Sequence, residues 1–355
     1  MTERLAPATI TVSAGRPPRD PDAPLNPPVT LASVFVAGGE REYGRYANPT
    51  WEAFETVLGE LEGGRALAYA SGMAAVSTLV DLVAPGGVVV APQHAYLGTL
   101  HLLGSKERRG EVEVRKVDLT DTAATIAACD DAALVWLESP TNPMLEVADL
   151  PAIIEGAHAA GARVVVDNTF ATPILQRPLD QGADAVVHSA TKLLSGHADV
   201  LLGAIVTRDP EIHRAVDEQR RMRGAIAGPM EAWLAARGMR TLHLRVDAAQ
   251  RNARQLAERL GKHAEISRLH DPGWGTMLGI EMTGGVAAAE QLVSSTSLWI
   301  NATSLGGVES TFERRRRWGS EQATVPEDFI RLSVGVEDAD DLWHDLERAL
   351  DGLPD

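Results

Sequence analysis

Residues 164–199 read VVVDNTFATPILQRPLDQGADAVVHSATKLLSGHAD, and the architecture can be worked out from this segment. It contains two short apolar runs, 164–166 and 185–187, and polar side chains follow each run directly. Short apolar runs bounded by polar turns are typical of buried strands. In α/β proteins, ligands bind at the C-terminal edge of a parallel sheet. The segment therefore predicts that Asp167 and residues 188–192 lie together at such an edge.

The same pattern continues on both sides of this segment, from about residue 50 to residue 235. Short apolar runs alternate there with helical stretches such as 72–83 and 151–160. The predicted strands are 66–70, 88–91, 133–137, 163–166, 185–188 and 202–206. Buried strands separated by helices predict an α/β fold with a large, mostly parallel sheet that is covered on both faces.

The two ends of the chain have a different sequence pattern from this central part. Residues 1–30 are rich in proline and show little periodicity, which predicts an extended arm rather than a packed element. Residues 231–260 have apolar side chains at helical spacing, which predicts long amphipathic helices. A smaller C-terminal α/β domain is predicted from strands at 277–282 and 330–334 and a helix at 338–350. The expected parts are an arm at 1–48, a sheet domain at 49–232 and a C-terminal domain at 233–355.

Composition argues against several classes of protein. The 355-residue chain carries 33 Lys and Arg against 49 Asp and Glu, so its formal net charge is −16. This excess of negative charge argues against nucleic acid or an anionic membrane as a partner, because either would require the protein to neutralise phosphates. No apolar run approaches the roughly 18 residues of a membrane span, and the N-terminus lacks the pattern of a signal peptide. We expect a cytoplasmic protein.

Metal and nucleotide sites are also disfavoured. Cys129 is the one cysteine, which excludes an intrachain disulfide and a cysteine-rich metal site. His188, His197 and Asp199 lie near one another in sequence, but they do not have the ligand spacing typical of metal enzymes. The glycine pairs of the chain fit neither a dinucleotide fingerprint nor a Walker loop. We therefore predict no metal site.

Asp167 and the segment His-Ser-Ala-Thr-Lys at 188–192 carry the chemistry of the predicted sheet edge. Partial burial and nearby positive charge would lower the pKa of Lys192, which would let it form a Schiff base with a carbonyl. The hydroxyl groups of Ser189 and Thr191 can bond a phosphate, and Asp167 can pair with a protonated pyridine nitrogen. Together these groups predict a site for pyridoxal phosphate (PLP). Considered alone, Lys192 is also typical of a surface lysine at the end of a strand, and Asp167 of a residue that caps a turn.

The segment Ser71-Gly72-Met73 lies between a predicted strand and a predicted helix. Exposed backbone N–H groups and the dipole at a helix start bind a phosphate. Gly72 would allow the backbone to approach it closely. This segment is a second candidate for phosphate binding, although a serine followed by glycine is also typical of an ordinary helix cap.

Seven segments occur in one order along the chain: YGRYANPT (43–50), ASGMAA (70–75), AYLGT (95–99), ESPTNP (138–143), the segment 164–199, SLGGVES (304–310) and RLSVGVED (331–338). In this order they closely resemble the cystathionine γ-synthase and γ-lyase group of fold-type I PLP-dependent enzymes. The resemblance runs from about residue 27 to the last helix. It implies the aspartate aminotransferase-like fold of PLP-dependent transferases, with PLP as the cofactor.

The resemblance also implies roles for single residues around the cofactor. Lys192 is similar to the lysine that forms the Schiff base and moves protons. Tyr96 is similar to the tyrosine that stacks on the cofactor ring and takes the proton of the incoming amine. Asp167 is similar to the carboxylate that keeps the pyridine nitrogen protonated. The phosphate-binding positions of the family are matched by Ser71, Gly72, Met73, Ser189 and Thr191.

Further matches concern the substrate and the neighbouring subunit. Arg331 is similar to the arginine that binds the substrate α-carboxylate. Ser304 and Asn142 stand where the family positions the lysine and the carboxylate, respectively. Tyr43 and Arg45 match residues that reach the cofactor phosphate of a neighbouring subunit. The resemblance therefore implies a homo-oligomer of at least two chains, commonly a tetramer built as a dimer of dimers.

The chain departs from the family pattern at three places. Enzymes of this group that act on cystathionine often have two acidic residues for its distal ammonium group; Glu42 matches one, and Thr303 stands at the other position. The segment 96–99, Tyr-Leu-Gly-Thr, lacks the cysteine that marks dedicated methionine γ-lyases. After SLGGVES the usual loop is replaced by TFERRRRWGSEQATVPED. We interpret its arginine run, 314–317, as a solvated surface or a subunit contact, with an anion site as the less favoured alternative.

The resemblance implies PLP-dependent γ-elimination on a sulfur amino acid, with cystathionine giving cysteine, 2-oxobutanoate and ammonia. Two enzymatic alternatives stay open, because elimination and replacement share motifs: γ-replacement on an O-acylhomoserine, and a methionine or homocysteine γ-lyase. A non-catalytic scaffold that kept only the fold is a third alternative. A scaffold would be expected to lose the lysine, the aspartate or the arginine of the site, and this chain retains Lys192, Asp167 and Arg331.

Overall fold

The structure is a computed structural model that describes residues 5–317, 319 and 321–353. The first four residues of the predicted arm, and residues 354 and 355 of the predicted C-terminal domain, lie outside the described residues. One sheet of seven strands and one of five organise the described part of the chain. Within those same residues, no helix is long and apolar enough to cross a membrane.

The N-terminal segment begins with a packed helix, α1 (Pro7–Ser13). Pro7 lies in its first turn, where a missing N–H group removes no helical hydrogen bond. Ile10 is buried in one apolar cluster with Trp51 and Phe54. The prediction of an unpacked, extended segment is therefore wrong for residues 7–13, because the apolar side chain of Ile10 enters the core.

The large sheet contains β1 (Arg65–Tyr69), β2 (Gly87–Pro92), β3 (Val112–Val117), β4 (Ala132–Glu138), β5 (Arg163–Asp167), β6 (Ala185–Ser189) and β7 (Gly203–Thr207). Its strand order is β1-β7-β6-β5-β4-β2-β3, and β7 runs antiparallel to both of its neighbours while the other pairs are parallel. The prediction of a mostly parallel sheet is confirmed. β3 has no counterpart among the predicted strands, because its sequence VEVRKV alternates apolar and charged residues at the edge of the sheet.

Helices cover both faces of this sheet, and apolar side chains alternate between two cores. Val186 and Val206 pack in the cluster that contains Trp51, whereas Val187 and Ile205 pack on the opposite face. Burial on both faces explains why these strands read as continuous apolar runs. The helices of this region are α2 (Pro49–Glu62), α3 (Gly72–Val80), α4 (Leu97–Arg108), α5 (Thr122–Ala127), α6 (Leu150–Ala159), α7 (Thr172–Leu175), α8 (Pro210–Arg223) and α9 (Pro229–Met239).

The C-terminal part contains α10 (Leu242–Leu260), β8 (Ile266–His270), β9 (Met277–Met282), α11 (Gly285–Ser295), β10 (Ile300–Asn301), β11 (Thr311–Arg314), β12 (Ile330–Ser333) and α12 (Ala339–Asp351). The order of its sheet is β10-β11-β12-β9-β8, in which only the pair of β10 and β11 is parallel. This agrees with the predicted smaller α/β part. β8, β10 and β11 have no counterpart among the predicted strands, because β10 and β11 are short and β8 has no fully buried residue.

The two halves of α10 pack in different apolar cores. Leu242 and Val246 pack in the cluster that lies against the large sheet, whereas Ala253 and Leu256 pack in the core of the smaller sheet. One helix thus contributes to both cores. The division of the chain at residues 48 and 232 stays a prediction.

The N-terminus of α3 lies directly against the ends of β6 and β7, and two glycines permit this approach. A Cβ atom at Gly203 would lie 2.1 Å from the carbonyl oxygen of Ser71 and 2.7 Å from the amide nitrogen of Gly72. A Cβ atom at Gly72 would lie 2.9 Å from the Cβ atom of Ser189. A side chain at either position would push the helix away from the strand ends.

We expect Gly203→Ala to lower the free energy of unfolding by about 3 kcal/mol, because its Cβ atom would collide with backbone that cannot move independently. The matched control is Gly104→Ala in the middle of α4, where the nearest atom to a new Cβ is Arg108 Nη1 at 3.5 Å. That control should stabilise the protein by about 0.8 kcal/mol through helix propensity. Thermal unfolding of both variants measures the difference, and equal unfolding temperatures would contradict the role assigned to Gly203.

Candidate active site

A cavity of about 620 Å³ opens at the carboxyl ends of β4, β5 and β6. Residues of the smaller sheet complete its wall, so that both sheets contribute to one site. Most of the predicted site residues line it together. These are Ser71, Gly72, Met73, Tyr96, Asn142, Asp167, Ser189, Thr191, Lys192, Ser304 and Arg331.

Lys192 follows β6, and its Nζ atom donates a hydrogen bond to Ser304 Oγ at 3.0 Å. Burial lowers the pKa of Lys192 to about 8, and the positive charge of Arg331 acts in the same direction. The Ser304 contact fixes the position of the amine inside the cavity. A lysine with this pKa is available as an unprotonated amine at mildly alkaline pH.

Asp167 ends β5, and its carboxylate is fixed from one side. The backbone N–H of Thr169 donates to Asp167 Oδ1 at 3.0 Å, and the Thr169 hydroxyl donates to the same oxygen at 2.5 Å. Burial raises the pKa of Asp167, while the hydrogen bonds from Thr169 oppose that shift. A buried carboxylate at a cavity wall suits a ligand that carries a positive charge, such as a protonated pyridine nitrogen.

The phosphate-binding candidates lie at the start of α3. Ser71 caps this helix, since its Oγ accepts the N–H of Ala74 at 3.1 Å. The N–H groups of the first turn, at Gly72 and Met73, have no acceptor within the helix. Ser189 lies directly beside Gly72, in the space that a glycine Cβ would need. Helix N–H groups next to a hydroxyl form a cradle that suits an anion, and these residues therefore fit the phosphate of PLP.

Thr191 completes this end of the cavity. Its Oγ accepts the N–H of Leu202 at 3.0 Å and lies 3.3 Å from the carbonyl oxygen of the same residue. These contacts connect the loop that carries Lys192 to the start of β7. The threonine hydroxyl is therefore fixed at the wall of the cavity that the start of α3 also lines.

Glu138 is a site residue that the sequence analysis missed. It ends β4, its Oε2 accepts the N–H of Tyr96 at 2.9 Å, and its Oε1 accepts the N–H of Asn142 at 2.8 Å. Burial, together with the nearby Asp167 carboxylate, raises the pKa of Glu138 well above its ordinary value. The rule that identified Asp167 also applies here, because Glu138 directly follows the apolar run 133–137.

Arg331 lies on β12 and is buried at the opposite wall of the cavity. Its Nη1 donates to Asn142 Oδ1 at 2.8 Å, and its Nη2 donates to the carbonyl oxygen of Thr303 at 3.1 Å. Burial lowers the pKa of Arg331 to about 9, and neighbouring Arg315 acts in the same direction. A guanidinium that is desolvated in this way gains from binding a carboxylate.

The arginine run 314–317 is not a solvated surface at every position. Arg315 is 7% exposed and lines the cavity. It forms ion pairs with Glu313 at 2.6 Å and Glu321 at 2.8 Å. Arg314 instead pairs with the exposed Glu290 at 2.8 Å. The interpretation as a solvated surface is therefore wrong for Arg315, because its guanidinium pairs with the buried carboxylates of Glu313 and Glu321.

Tyr43, Arg45 and Glu42 lie outside this cavity. Tyr43 is 42% exposed, and the Arg45 guanidinium lies 5.4 Å from the centre of its ring. Arg45 also donates to the carbonyl oxygen of Arg221. Their predicted role at a neighbouring subunit stays a prediction.

Tyr96 stands at the mouth of the cavity, where it precedes α4 and is 43% exposed. A Cβ atom at Gly98 would lie 2.6 Å from Tyr96 Cε1 and 2.8 Å from Met73 Sδ. The glycine thus leaves room for the tyrosine ring beside Met73. Within the described part of the chain, no group of three His, Cys, Asp or Glu side chains is arranged to hold a metal ion.

Residues 8–351 match the family of Cys/Met metabolism PLP-dependent enzymes. The chain belongs to this family. A Streptomyces coelicolor relative with the provisional name cystathionine γ-lyase is 43% identical, over 97% of this chain and 93% of its own length. The cystathionine γ-synthase of Mycobacterium tuberculosis is 40% identical, over 97% of this chain and 96% of its own.

Solved structures agree with the fold. The crystal structure of the cystathione γ-lyase CalE6 from Micromonospora echinospora superposes with a TM-score of 0.93 at 39% identity. The match covers 98% of this chain and 100% of that one. The predictions of the family, the fold class and PLP as cofactor are confirmed. This chain is a PLP-dependent enzyme of the lyase type that acts on a sulfur amino acid.

We expect the uptake of PLP by the apoenzyme to depend on the protonation of Lys192. Because burial lowers the pKa of this lysine to about 8, the rate constant of uptake should rise with pH through a midpoint near 8. Visible absorbance follows the reaction, with N-acetyllysine as the unburied amine for comparison. A midpoint for the protein that coincides with that of N-acetyllysine would contradict the expectation.

Proposed function

We propose that this enzyme carries out γ-elimination on cystathionine, giving cysteine, 2-oxobutanoate and ammonia. The supporting observation is the position of Lys192, whose amine is held by Ser304 in the same cavity as Asp167 and Arg331. A movable base thus faces both a carboxylate for the cofactor ring and a guanidinium for the substrate. The 43% identical relative carries the provisional name cystathionine γ-lyase.

We assign the residues of the sheet edge to the cofactor. Bound PLP supplies an aldehyde for the substrate amine and an electron-withdrawing ring that stabilises negative charge on the substrate carbons. The N–H groups of Gly72 and Met73 and the hydroxyl groups of Ser189 and Thr191 hold the phosphate, while Ser71 fixes the helix start. Asp167 keeps the pyridine nitrogen protonated.

Two side chains move protons in this proposal. Tyr96 stands at the mouth of the cavity and receives the proton of the substrate ammonium group. Lys192 removes the proton from the substrate Cα, releases it, and as a neutral amine again removes a proton from Cβ. Loss of the Cβ proton lets the bond between Cγ and sulfur break, and Tyr96 gives its proton to the sulfur, so that cysteine leaves as the thiol. Lys192 then returns a proton to Cγ, and water releases the four-carbon product as 2-oxobutanoate and ammonia.

Arg331 binds the substrate α-carboxylate in this proposal, and Asn142 orients the arginine. The contact between Arg331 Nη1 and Asn142 Oδ1 at 2.8 Å supports that assignment. We also propose that Tyr43 and Arg45 act on the cofactor phosphate of a neighbouring chain, with Glu42 near the distal ammonium group of the substrate. This arrangement requires at least a dimer, and we propose a tetramer of two such dimers.

A second candidate is γ-replacement, in which a thiol adds where the γ-substituent of an O-acylhomoserine has left. The 40% identical relative from Mycobacterium tuberculosis, named cystathionine γ-synthase, favours it. Thr303 favours it too, because a threonine stands at one of the two positions expected to carry an acidic group for cystathionine. Both candidates use Lys192, Asp167 and Arg331 in the same way.

Incubation of the PLP-loaded enzyme with L,L-cystathionine, followed by mass spectrometry of the products, tests the proposal. We expect cysteine and 2-oxobutanoate. Homocysteine and pyruvate would mean β-cleavage and would contradict γ-elimination. If cystathionine is not cleaved but forms from an O-acylhomoserine and cysteine, γ-replacement is the function.

The matched pair of variants for this test is Lys192→Ala and Lys262→Ala. Lys262 is exposed, in the turn after α10. We expect Lys192→Ala to lower turnover at least about a hundredfold, because it removes the base. Lys262→Ala should retain the turnover of the unchanged enzyme. Equal turnover in the two variants would contradict the role of Lys192.

A further inference from the structure

Glu313 is a buried carboxylate that contacts three arginines, of which Arg315 and Arg331 line the cavity. It is on β11, directly opposite Arg331 of β12 in the antiparallel register. Its Oε2 accepts from Arg315 Nη1 at 2.6 Å and from Arg331 Nη2 at 3.4 Å. The same oxygen therefore faces both cations, but its contact with Arg315 is much the shorter.

Further ion pairs hold this arrangement in place. Arg315 Nε and Nη2 both donate to Glu321 Oε2, at 3.1 and 2.8 Å. Glu313 Oε1 accepts from Arg317 Nη2 at 2.8 Å. Glu313 is 0% exposed, and the Glu321 side chain is 2% exposed. If Arg315 is removed, Arg317 still pairs with Glu313 Oε1, but Oε2 loses its contact with Arg315 and is driven towards Arg331, because a buried carboxylate oxygen without a close donor is costly.

This competition matters for Arg331, because a guanidinium in a full ion pair with Glu313 is less available to an incoming carboxylate. At 3.4 Å the contact of Arg331 with Glu313 is long for a charge-assisted hydrogen bond. The strong contacts of Arg331 are instead those with Asn142 and with the carbonyl oxygen of Thr303. Both of these acceptors are neutral, so they orient the guanidinium without cancelling its charge.

We propose that Arg315 is a positioning residue that occupies Glu313 and thereby keeps Arg331 free to bind the substrate carboxylate. The inference rests on the role proposed above for Arg331. It gives a function to Arg315, the buried residue of the arginine run 314–317. Arg315 need not contact the substrate for this role.

The test measures binding of two probes to the PLP-loaded enzyme, from the change in cofactor absorbance on titration. Glycine has both an amine and a carboxylate, whereas methylamine has the amine alone. We expect Arg315→Met to weaken glycine binding about tenfold, because Glu313 then captures Arg331. Methylamine binding should change less than about twofold, since it does not use Arg331. Arg314→Met removes the neighbouring arginine and its contact with the exposed Glu290. It is the matched control and should leave the binding of both probes unchanged.

The decisive variant is the double substitution Arg315→Met with Glu313→Gln. If released Glu313 causes the loss, removing its charge should restore glycine binding to within about threefold of the unchanged enzyme. Both the single and the double variant lose the contact of Arg315 with Glu321, so that loss does not distinguish them. A double variant as weak as Arg315→Met, or an Arg315→Met variant with normal glycine affinity, would overturn the proposal.

Two further variants keep the test interpretable. If Arg315→Met does not fold, Arg315→Gln removes the same charge with a polar side chain and should weaken glycine binding about tenfold in the same way; normal glycine affinity in Arg315→Gln would overturn the proposal. Arg331→Met separates this inference from the proposed function. If Arg331→Met leaves glycine affinity intact, the role proposed for Arg331 itself is wrong. If Arg331→Met weakens glycine binding and Arg315→Met does not, only the positioning role of Arg315 fails.

Discussion

The close approach of the α3 N-terminus to the ends of β6 and β7 is the constraint on which the rest of the site depends. It brings unpaired helix N–H groups next to Ser189, three residues before Lys192. Gly203 and Gly72 permit it, because a Cβ atom at either position would collide with its neighbour. The proposed phosphate site and the amine of Lys192 are thereby held on one short segment of the sheet edge. Backbone packing, rather than any single polar contact, sets the distance between them.

Charge burial is the second organising feature. Burial raises the pKa of Asp167 and Glu138, and it lowers the pKa of Lys192 and Arg331. For each of these groups, the charged form is therefore less stable in the cavity than in water. A ligand with a cationic ring nitrogen and a carboxylate would bring opposite charges to Asp167 and to Arg331. The cavity is built to gain free energy when such a ligand binds, which fits a site for PLP and an amino acid.

The sequence predicts those parts of the site that directly follow apolar strand runs. Asp167 and Lys192 were located in this way, and Glu138 obeys the same rule although it was missed. The inward turn of Arg315 could not be predicted, because four consecutive arginines carry no sign of which one is buried. That depends on the register of β11 against β12, which sets Glu313 opposite Arg331. Edge strands such as β3 and β8 were missed for a related reason, since half-exposed strands lack continuous apolar runs.

The attachment point of the cofactor can be measured directly, because the chain has only four lysines, at 106, 116, 192 and 262. Borohydride reduction of the PLP-loaded protein, followed by peptide mass spectrometry, would identify the lysine that carries the cofactor. The geometry of the cavity predicts a single labelled peptide that contains Lys192. Label on Lys106, Lys116 or Lys262 with Lys192 unmodified would contradict the assignment of this cavity as the active site.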